Sequence, residues 1–255
     1  MRAINTFFIR RNGYIPVFDI PAFNEEKRIV RSLNAAVKYL SSKDFSFEII
    51  VVDDGSGDNT IGIVNEYIEN LESEYKNNIR IISLGANLGK GAAVRNGMLE
   101  AKGRFRVFSD ADFSTPVYEI EKLLKYFSEG YDIVIGSRSI DRSMVKKHQP
   151  FYRETMGKIY NLFVQLFVFK GITDTQCGFK GFSDLATTQI FSLAKINGFS
   201  FDVELLYLSQ KLGLQTKQVP VEWYNDERST VNPITDSARM FYELLKIKRL
   251  HKTDT

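Results

Sequence analysis

Along the chain, short apolar runs alternate with longer stretches in which apolar residues recur at helical spacing. Ile15 to Ile20, Phe47 to Val52, Ile79 to Leu84, Phe105 to Phe108 and Tyr131 to Ile135 are short and nearly continuous runs, the pattern of strands buried on both faces of a parallel sheet. Ile29, Val30, Leu33, Ala36, Val37 and Leu40 predict a helix from about Glu25 to Leu40. Further helices are predicted from the turn 53–60 to about Tyr75 and from Ala92 to Ala101. Pro116 opens another, since proline suits a first helical turn. Beyond residue 150 the pattern predicts a helix from about Tyr152 to Phe169, one beginning at Phe201 and a last strand from Thr216 to Trp223. An amphipathic helix follows over 235–250, with Met240, Phe241, Leu244, Leu245 and Ile247 opposing lysines and arginines. Strands alternating with helices predict an α/β fold with a mainly parallel sheet flanked by helices. Residues 1–14 form a lead-in, 15–234 the main domain, and 235–255 a basic C-terminal helix and tail.

Ligands bind such sheets at the carboxyl ends of the strands. Four polar segments fall there: Pro21 to Glu26, Asp53 to Thr60, Asn87 to Gly91 and Ser109 to Pro116. In the last, Asp110 and Asp112 stand two positions apart beside a helix start, a place for a divalent cation and a phosphate. An ordinary loop with one capping carboxylate would read the same way. No Gly-x-Gly-x-x-Gly follows the first strand, which disfavours a dinucleotide site. Gly89-Lys90 resembles the end of a P-loop, but Leu84 and Gly91 occupy the positions of its first glycine and its Ser/Thr.

Composition narrows the class. With 44% hydrophobic and 25% charged residues the chain is an ordinary soluble globular protein. A net charge of +3 gives no reason to expect nucleic acid. The charge is unevenly placed: between Arg138 and Lys158, six basic residues outnumber Asp141 and Glu154, and between Arg239 and Lys252, five face Glu243 alone. Such runs are solvated faces or partners for an anionic surface. A single cysteine, Cys177, rules out an internal disulfide and points to a reducing compartment. Two histidines, His148 and His251, make a histidine-based zinc site improbable. No secretory signal or bilayer-spanning run is read from the chain. The helix over 152–169 is apolar apart from a narrow stripe of Glu154, Lys158, Asn161 and Gln165, so it is sandwiched in protein or laid partly into lipid. Asp174 to Phe182 reads as a substrate-facing loop or a hairpin turn. Asp202 and Glu204 in a first helical turn are also what a helix dipole favours.

Taken together, Pro21-Ala22-Phe23-Asn24-Glu25-Glu26, Val52-Asp53-Asp54-Gly55-Ser56, Asn87-Leu88-Gly89-Lys90-Gly91 and Asp110-Ala111-Asp112 resemble the family 2 glycosyltransferases of GT-A fold. Asp174-Thr175-Gln176-Cys177-Gly178-Phe179-Lys180, Phe201-Asp202-Val203-Glu204-Leu205-Leu206 and Val219-Pro220-Val221-Glu222-Trp223 are similar to the dolichyl-phosphate β-glucosyltransferases, with the mannose synthases next. The likeness spans about residues 15 to 250 in one order. Three departures stand out. Asp19 occupies a first-strand position that is usually aliphatic, and Phe23 replaces a common Tyr. The membrane anchor that eukaryotic members carry before this domain is not read here, which puts the lipid acceptor in question.

The resemblance implies inverting transfer of glucose from UDP-glucose to a polyprenyl (dolichyl-type) phosphate, dependent on Mg²⁺ or Mn²⁺. Pro21, Ala22, Asn24, Glu25, Asp54 and Lys90 would serve the nucleotide, with Asp110 facing ribose and diphosphate. Asp112, helped by Ser114, would bind the metal. Arg138 and Arg153 would hold the acceptor phosphate, and Asp174, Gln176, Asp202 and Glu204 the sugar hydroxyls. The expected partners are therefore a UDP-sugar, a polyprenyl phosphate and the cytoplasmic face of a membrane, with no nucleic acid. Two alternatives remain: a GDP-mannose-dependent mannosyltransferase, and a catalytically idle nucleotide-sugar-binding subunit.

Overall fold

In the computed structural model, which describes residues 16–226 and 235–253, the predicted apolar runs become β1 (Pro16–Ala22), β2 (Glu48–Asp53), β3 (Ile79–Ser83), β4 (Phe105–Ser109) and β5 (Ile133–Ser137). The helices between them are α1 (Ile29–Ser41), α2 (Thr60–Asn70), α3 (Lys90–Glu100) and α4 (Ile120–Ser128). Then come β6 (Val145–Lys147), α5 (Phe151–Phe167), β7 (Phe179–Ser183) and α6 (Asp184–Phe191). The chain ends in α7 (Phe201–Lys211), β8 (Thr216–Pro220), β9 (Trp223–Tyr224) and α8 (Thr235–Leu250). Ile15, assigned from sequence to the first strand, lies outside the described residues, as does the 1–14 lead-in.

The main sheet has the order β3-β2-β1-β4-β7-β5-β8, and β6 pairs with β9 in a separate ribbon. Every neighbour in the main sheet is parallel except β7, which runs antiparallel between β4 and β5. One face of the sheet is covered by α1 and α4, whose Leu33, Leu40, Ile120 and Leu123 pack on Phe18, Ile20 and Val51. The other carries Met98 of α3, Tyr160 and Val164 of α5, Leu206 of α7 and Ile247 of α8, packed around Phe108, Ile133 and Phe182.

Several boundaries differ from the sequence reading, each for a local reason. Pro21 and Ala22 are the last residues of β1, paired with Val52 and Asp53, rather than a turn. Helix α1 starts at Ile29 because Glu25 is committed elsewhere: its N–H donates to Thr60 Oγ1 and its carboxylate binds Arg28. Pro116 takes an extended conformation at the cap of a 3-10 turn, Val117–Glu119, that precedes α4. Helix α2 stops at Asn70, and a separate 3-10 turn covers Lys76–Asn78. Strands β6 and β7 and helix α6 were not expected; Ser183 Oγ caps α6 by accepting from the Ala186 N–H.

Helix α5 is packed into the protein along one side and exposed along the other. Tyr160 and Val164 are buried, while Phe151, Ile159, Leu162, Leu166 and Phe167 are exposed, Phe151 to 83%. The second half of its polar stripe faces the following loop, where Asn161 Nδ2 donates to Thr173 O and Gln165 Oε1 accepts from the Gly171 N–H, while Glu154 pairs with Arg142 and Lys158. Among the described residues, no helix is long and apolar enough to cross a membrane.

Asp19 sits in the middle of β1, fully buried, with neither carboxylate oxygen hydrogen-bonded. It faces α3 where Gly97 leaves room; a Cβ at 97 would come within 2.1 Å of Asp19 Oδ1. Burial pushes this carboxyl well above the usual range, which favours its protonated form in the fold. The folded value exceeds the unfolded one, so stability is greatest below the unfolded value. It declines by up to about 1.4 kcal/mol per pH unit as pH rises towards the folded value. Asp19→Asn removes this titration. Urea unfolding of the variant is expected to show stability relative to wild type that grows between pH 5 and 8, by up to about 1.4 kcal/mol per pH unit. A constant difference across that range would mean that Asp19 is ionised in the fold.

Candidate active site

The carboxyl ends of β1, β2 and β4 and the start of α3 converge on one edge of the sheet. At β2, the Asp53 carboxylate accepts from the Gly55 and Ser56 N–H groups, while Asp54 accepts from Leu88 (2.7 Å) and Gly89 (2.9 Å). The first aspartate thus closes its own turn, and the second pins the loop before α3. Asn24, in the left-handed region at φ 57°, accepts from the Gly57 N–H at 2.8 Å through Oδ1. Its own N–H donates to Ser56 Oγ at 2.9 Å. These contacts lock the loops after β1, β2 and β3 into one unit.

Beyond β4 the chain turns sharply. Phe113 adopts φ 48°, and the Ser114 N–H donates to Asp112 Oδ1 at 2.8 Å. Asp110 pairs with Lys90 at the head of α3. Its backbone N–H donates to Gly178 O at 3.1 Å, and a Cβ at 178 would come within 2.1 Å of Asp110 Oδ2. Only glycine fits between β7 and this carboxylate.

Burial, followed by the charge of Asp110, pushes the Asp112 carboxyl above the usual range, although Ser114 and Arg28 act against it. Two half-buried carboxylates with one lysine between them leave anionic charge that a cation would neutralise. The donor set suits a hard divalent ion, which takes one or two carboxylates and completes its shell with phosphate oxygens and water. Among the described residues no cluster of three or more metal-ligating side chains occurs, so most of that shell would come from substrate and water.

Across the crevice, Arg138 follows β5. Its Nε and Nη2 grip Asp174 at 2.8 and 2.7 Å, its backbone N–H donates to the same carboxylate, and the guanidinium lies 5.4 Å from the Trp223 ring. Burial alone would raise the Asp174 carboxyl, but the charge and bonds of Arg138 outweigh it and hold the group below the usual range. The Nε–Nη2 edge of Arg138 is thereby taken by Asp174 and the guanidinium fixed in orientation, which leaves Nη1 and the second Nη2 N–H for another anion. Arg153, in the first turn of α5, lines the same cavity. That cavity, of about 350 Å³, is bounded by Asp110, Asp112, Ser114, Arg138, Arg153 and Gln176 on its polar side. Met156, Ile159, Tyr160, Met240 and Phe241 form its apolar side.

Residues 19–191 match the model of the family described as glycosyl transferase family 2. The chain belongs to that family. This family 2 glycosyltransferase is 38% identical over 248 residues to a dolichyl-phosphate β-glucosyltransferase of Dictyostelium discoideum, a match covering 93% of this chain and 74% of that protein. It is 32% identical over 245 residues to the human dolichyl-phosphate β-glucosyltransferase, covering 92% and 75%. In fold it is similar to glucosyl-3-phosphoglycerate synthase from Mycobacterium tuberculosis, solved with Mn²⁺, UDP-glucose and phosphoglyceric acid. The TM-score is 0.67 at 21% identity over 92% of this chain and 80% of that one. The GT-A arrangement expected from the motifs is therefore the observed one.

Within this family 2 enzyme, the expected site residues separate into two groups. Asp110, Asp112, Ser114, Arg138, Arg153 and Gln176 share the crevice. Asp174 lies beneath Arg138 and borders, with Gln176 and Trp223, a smaller cavity of about 140 Å³. Pro21 and Ala22 are buried at the end of β1. Asp54, Glu25 and Lys90 already hold the Leu88–Gly89 loop, Arg28 and Asp110 respectively.

Glu204, expected at the sugar hydroxyls, does not line the crevice. Glu204 is fully buried, accepts from the Lys195 and Ile196 N–H groups at 2.9 Å, and lies 2.7 Å from His251 Nε2. Its carboxylate is consumed in tying α7 to the end of α8. Asp202 is likewise buried, bound to Lys180 at 2.5 Å, and does not line the crevice. Sequence reasoning passed over Lys180 and Trp223. A lysine between Phe179 and Phe182 was the available signal, because such a position in a buried strand demands a charged partner. Cys177 is no nucleophile: burial pushes its thiol up to about 12.

Glu204→Gln is expected to lower stability in urea by ~2–4 kcal/mol, since it unbalances three buried hydrogen bonds, and to leave UDP affinity by calorimetry unchanged. Unaltered stability with weakened binding of UDP-glucose would return Glu204 to the sugar.

Proposed function

We propose that this enzyme transfers glucose from UDP-glucose to a polyprenyl phosphate of the dolichyl type, with inversion at the anomeric carbon. One observation carries the reading: a single cavity is lined by a carboxylate pair suited to a cation on a diphosphate, by two guanidiniums suited to a second phosphate, and by a wall of apolar side chains. A sugar-nucleotide and a lipid phosphate need that combination. The names of the relatives, dolichyl-phosphate β-glucosyltransferases, support the acceptor. The neighbour solved with UDP-glucose and Mn²⁺ supports the donor and a metal of that class.

The chemistry follows from charge. A phosphate monoester has its second pKa near ~6 and is largely dianionic at neutral pH. One of its oxygens attacks the anomeric carbon from the face opposite UDP, the bond to the UDP oxygen breaks, and no proton needs to be removed. This accounts for a crevice without a histidine base. Arg138, held rigid by Asp174 and Trp223, and Arg153 bring one anion close to another. Lys90 pairs with Asp110 on the side of the diphosphate. A divalent ion held by Asp112, with Asp110 and Ser114 adjacent, would supply neutralisation of charge on the departing UDP.

The membrane face belongs to the same reading. Exposed Phe151, Tyr152, Leu162, Leu166 and Phe167 on α5 lie in a protein whose α8 exposes Tyr242 and Leu245 among Lys246, Lys248 and Arg249. Helices α5 and α8 pack together through Phe163, Tyr160 and Phe241. Aromatic and aliphatic residues beside basic ones suit the anionic cytoplasmic leaflet.

The experiment uses vesicles containing anionic lipid and polyprenyl phosphate, supplied with radiolabelled UDP-glucose or GDP-mannose. Wild type is expected to sediment with the vesicles and to label lipid from UDP-glucose. Arg153→Gln should retain donor binding and lose about 10²-fold in kcat/KM for the acceptor. Labelling from GDP-mannose alone, or none from either donor, would contradict the proposal; so would protein that stays in the supernatant.

A further inference from the structure

Lys180 is a fully buried lysine that the chemistry above leaves unused. It projects from β7 opposite Phe108 of β4, the strand that ends in the carboxylate pair. Its ammonium donates to Cys177 O and to Asp202 Oδ1, each at 2.5 Å, and lies 5.3 Å from the centre of the Phe108 ring. Asp202 itself is 5% exposed. Burying such a pair is costly, and replacing buried ion pairs by apolar residues of similar volume is often neutral or stabilising. Stability therefore gives no reason for the pair, and its neighbours suggest one.

One of the two groups that Lys180 holds, the Cys177 carbonyl, belongs to the loop between α5 and β7. That loop supplies Asp174, which orients Arg138; Gln176, which lines the crevice; and Gly178, whose carbonyl takes the Asp110 N–H. Fixing the Cys177 carbonyl fixes the middle of this segment. The other arm, Asp202, is the second residue of α7 and lies near Lys90, the partner of Asp110. Charges thus alternate from Asp110 through Lys90 and Asp202 to Lys180. Donor-side and acceptor-side groups, which sit on different strands, are joined through one ammonium.

Resting on the glucosyl-transfer reading, we infer that Lys180 is a positioning residue: its clamp on Cys177 and Asp202 sets the spacing of Asp110 against Arg138. Lys180→Met alone strands Asp202 and is expected to lower the melting temperature. The informative variant is Lys180→Met combined with Asp202→Leu, which removes both charges and should recover wild-type melting within a few degrees. In that variant kcat for glucosyl transfer should stay reduced by about 10²-fold, the loss expected from ~1 Å misplacement, with KM for UDP-glucose little changed. Hydrogen exchange of the segment 174–178 should be about tenfold faster than in wild type, reflecting local opening without global unfolding. Recovery of kcat along with melting temperature, or unchanged exchange at 174–178, would overturn the inference and make the pair purely structural. If wild type transfers no sugar, the functional reading fails by itself, and the exchange measurement still decides whether Lys180 orders the loop.

Discussion

The repulsion between Asp110 and Asp112 at the end of β4 is the constraint around which the molecule is arranged. Two carboxylates two residues apart, half-buried, are unfavourable unless cations stand against them. The fold supplies Lys90 from α3 directly and Arg28 from the turn before α1 at longer range. The compensation is incomplete, and Asp112 stays above its ordinary range. A site left short of positive charge beside the crevice is what the proposed cation would complete.

Strand β7 makes that charge useful. The strands β3-β2-β1-β4 form one parallel set and β5-β8 another, and the antiparallel β7 is the seam between them. Its direction places the loop before it, residues 174–178, at the same edge as the ends of β4 and β5. Gly178 can therefore touch Asp110 while Asp174 holds Arg138, so both of these groups are set by one short segment. Helices α5 and α8 add the apolar wall, and aromatic contacts among Tyr160, Phe163 and Phe241 fix their relation.

Much of this was legible in the sequence, because parallel strands buried on both faces announce themselves as apolar runs and their carboxyl ends collect polar loops. The order of β1 to β5, the amphipathic α1 and the basic α8 follow directly. Strand β7 escaped because Lys180 and Gly181 interrupt its apolar character, and both are there for tertiary reasons: one for Asp202, the other because a Cβ would press on Phe127 at 2.9 Å. Asp202 and Glu204 could not be separated from ligand-facing acids, since a carboxylate in a first helical turn looks alike in sequence whatever it faces. Only the fold shows that Glu204 meets His251, 47 positions away. The start of α1 was misplaced for a similar reason, as Glu25 favours helix by type but is bound to Thr60 and Arg28.

The central claim is that Asp112 holds a divalent cation on the donor diphosphate. Electron paramagnetic resonance of Mn²⁺, titrated into the protein with and without UDP, tests it most directly. Wild type should bind Mn²⁺ weakly alone and much more tightly with UDP, and Asp112→Asn should lose about 10²-fold of the UDP-dependent affinity. Equal Mn²⁺ binding by the two proteins in the presence of UDP would contradict the account.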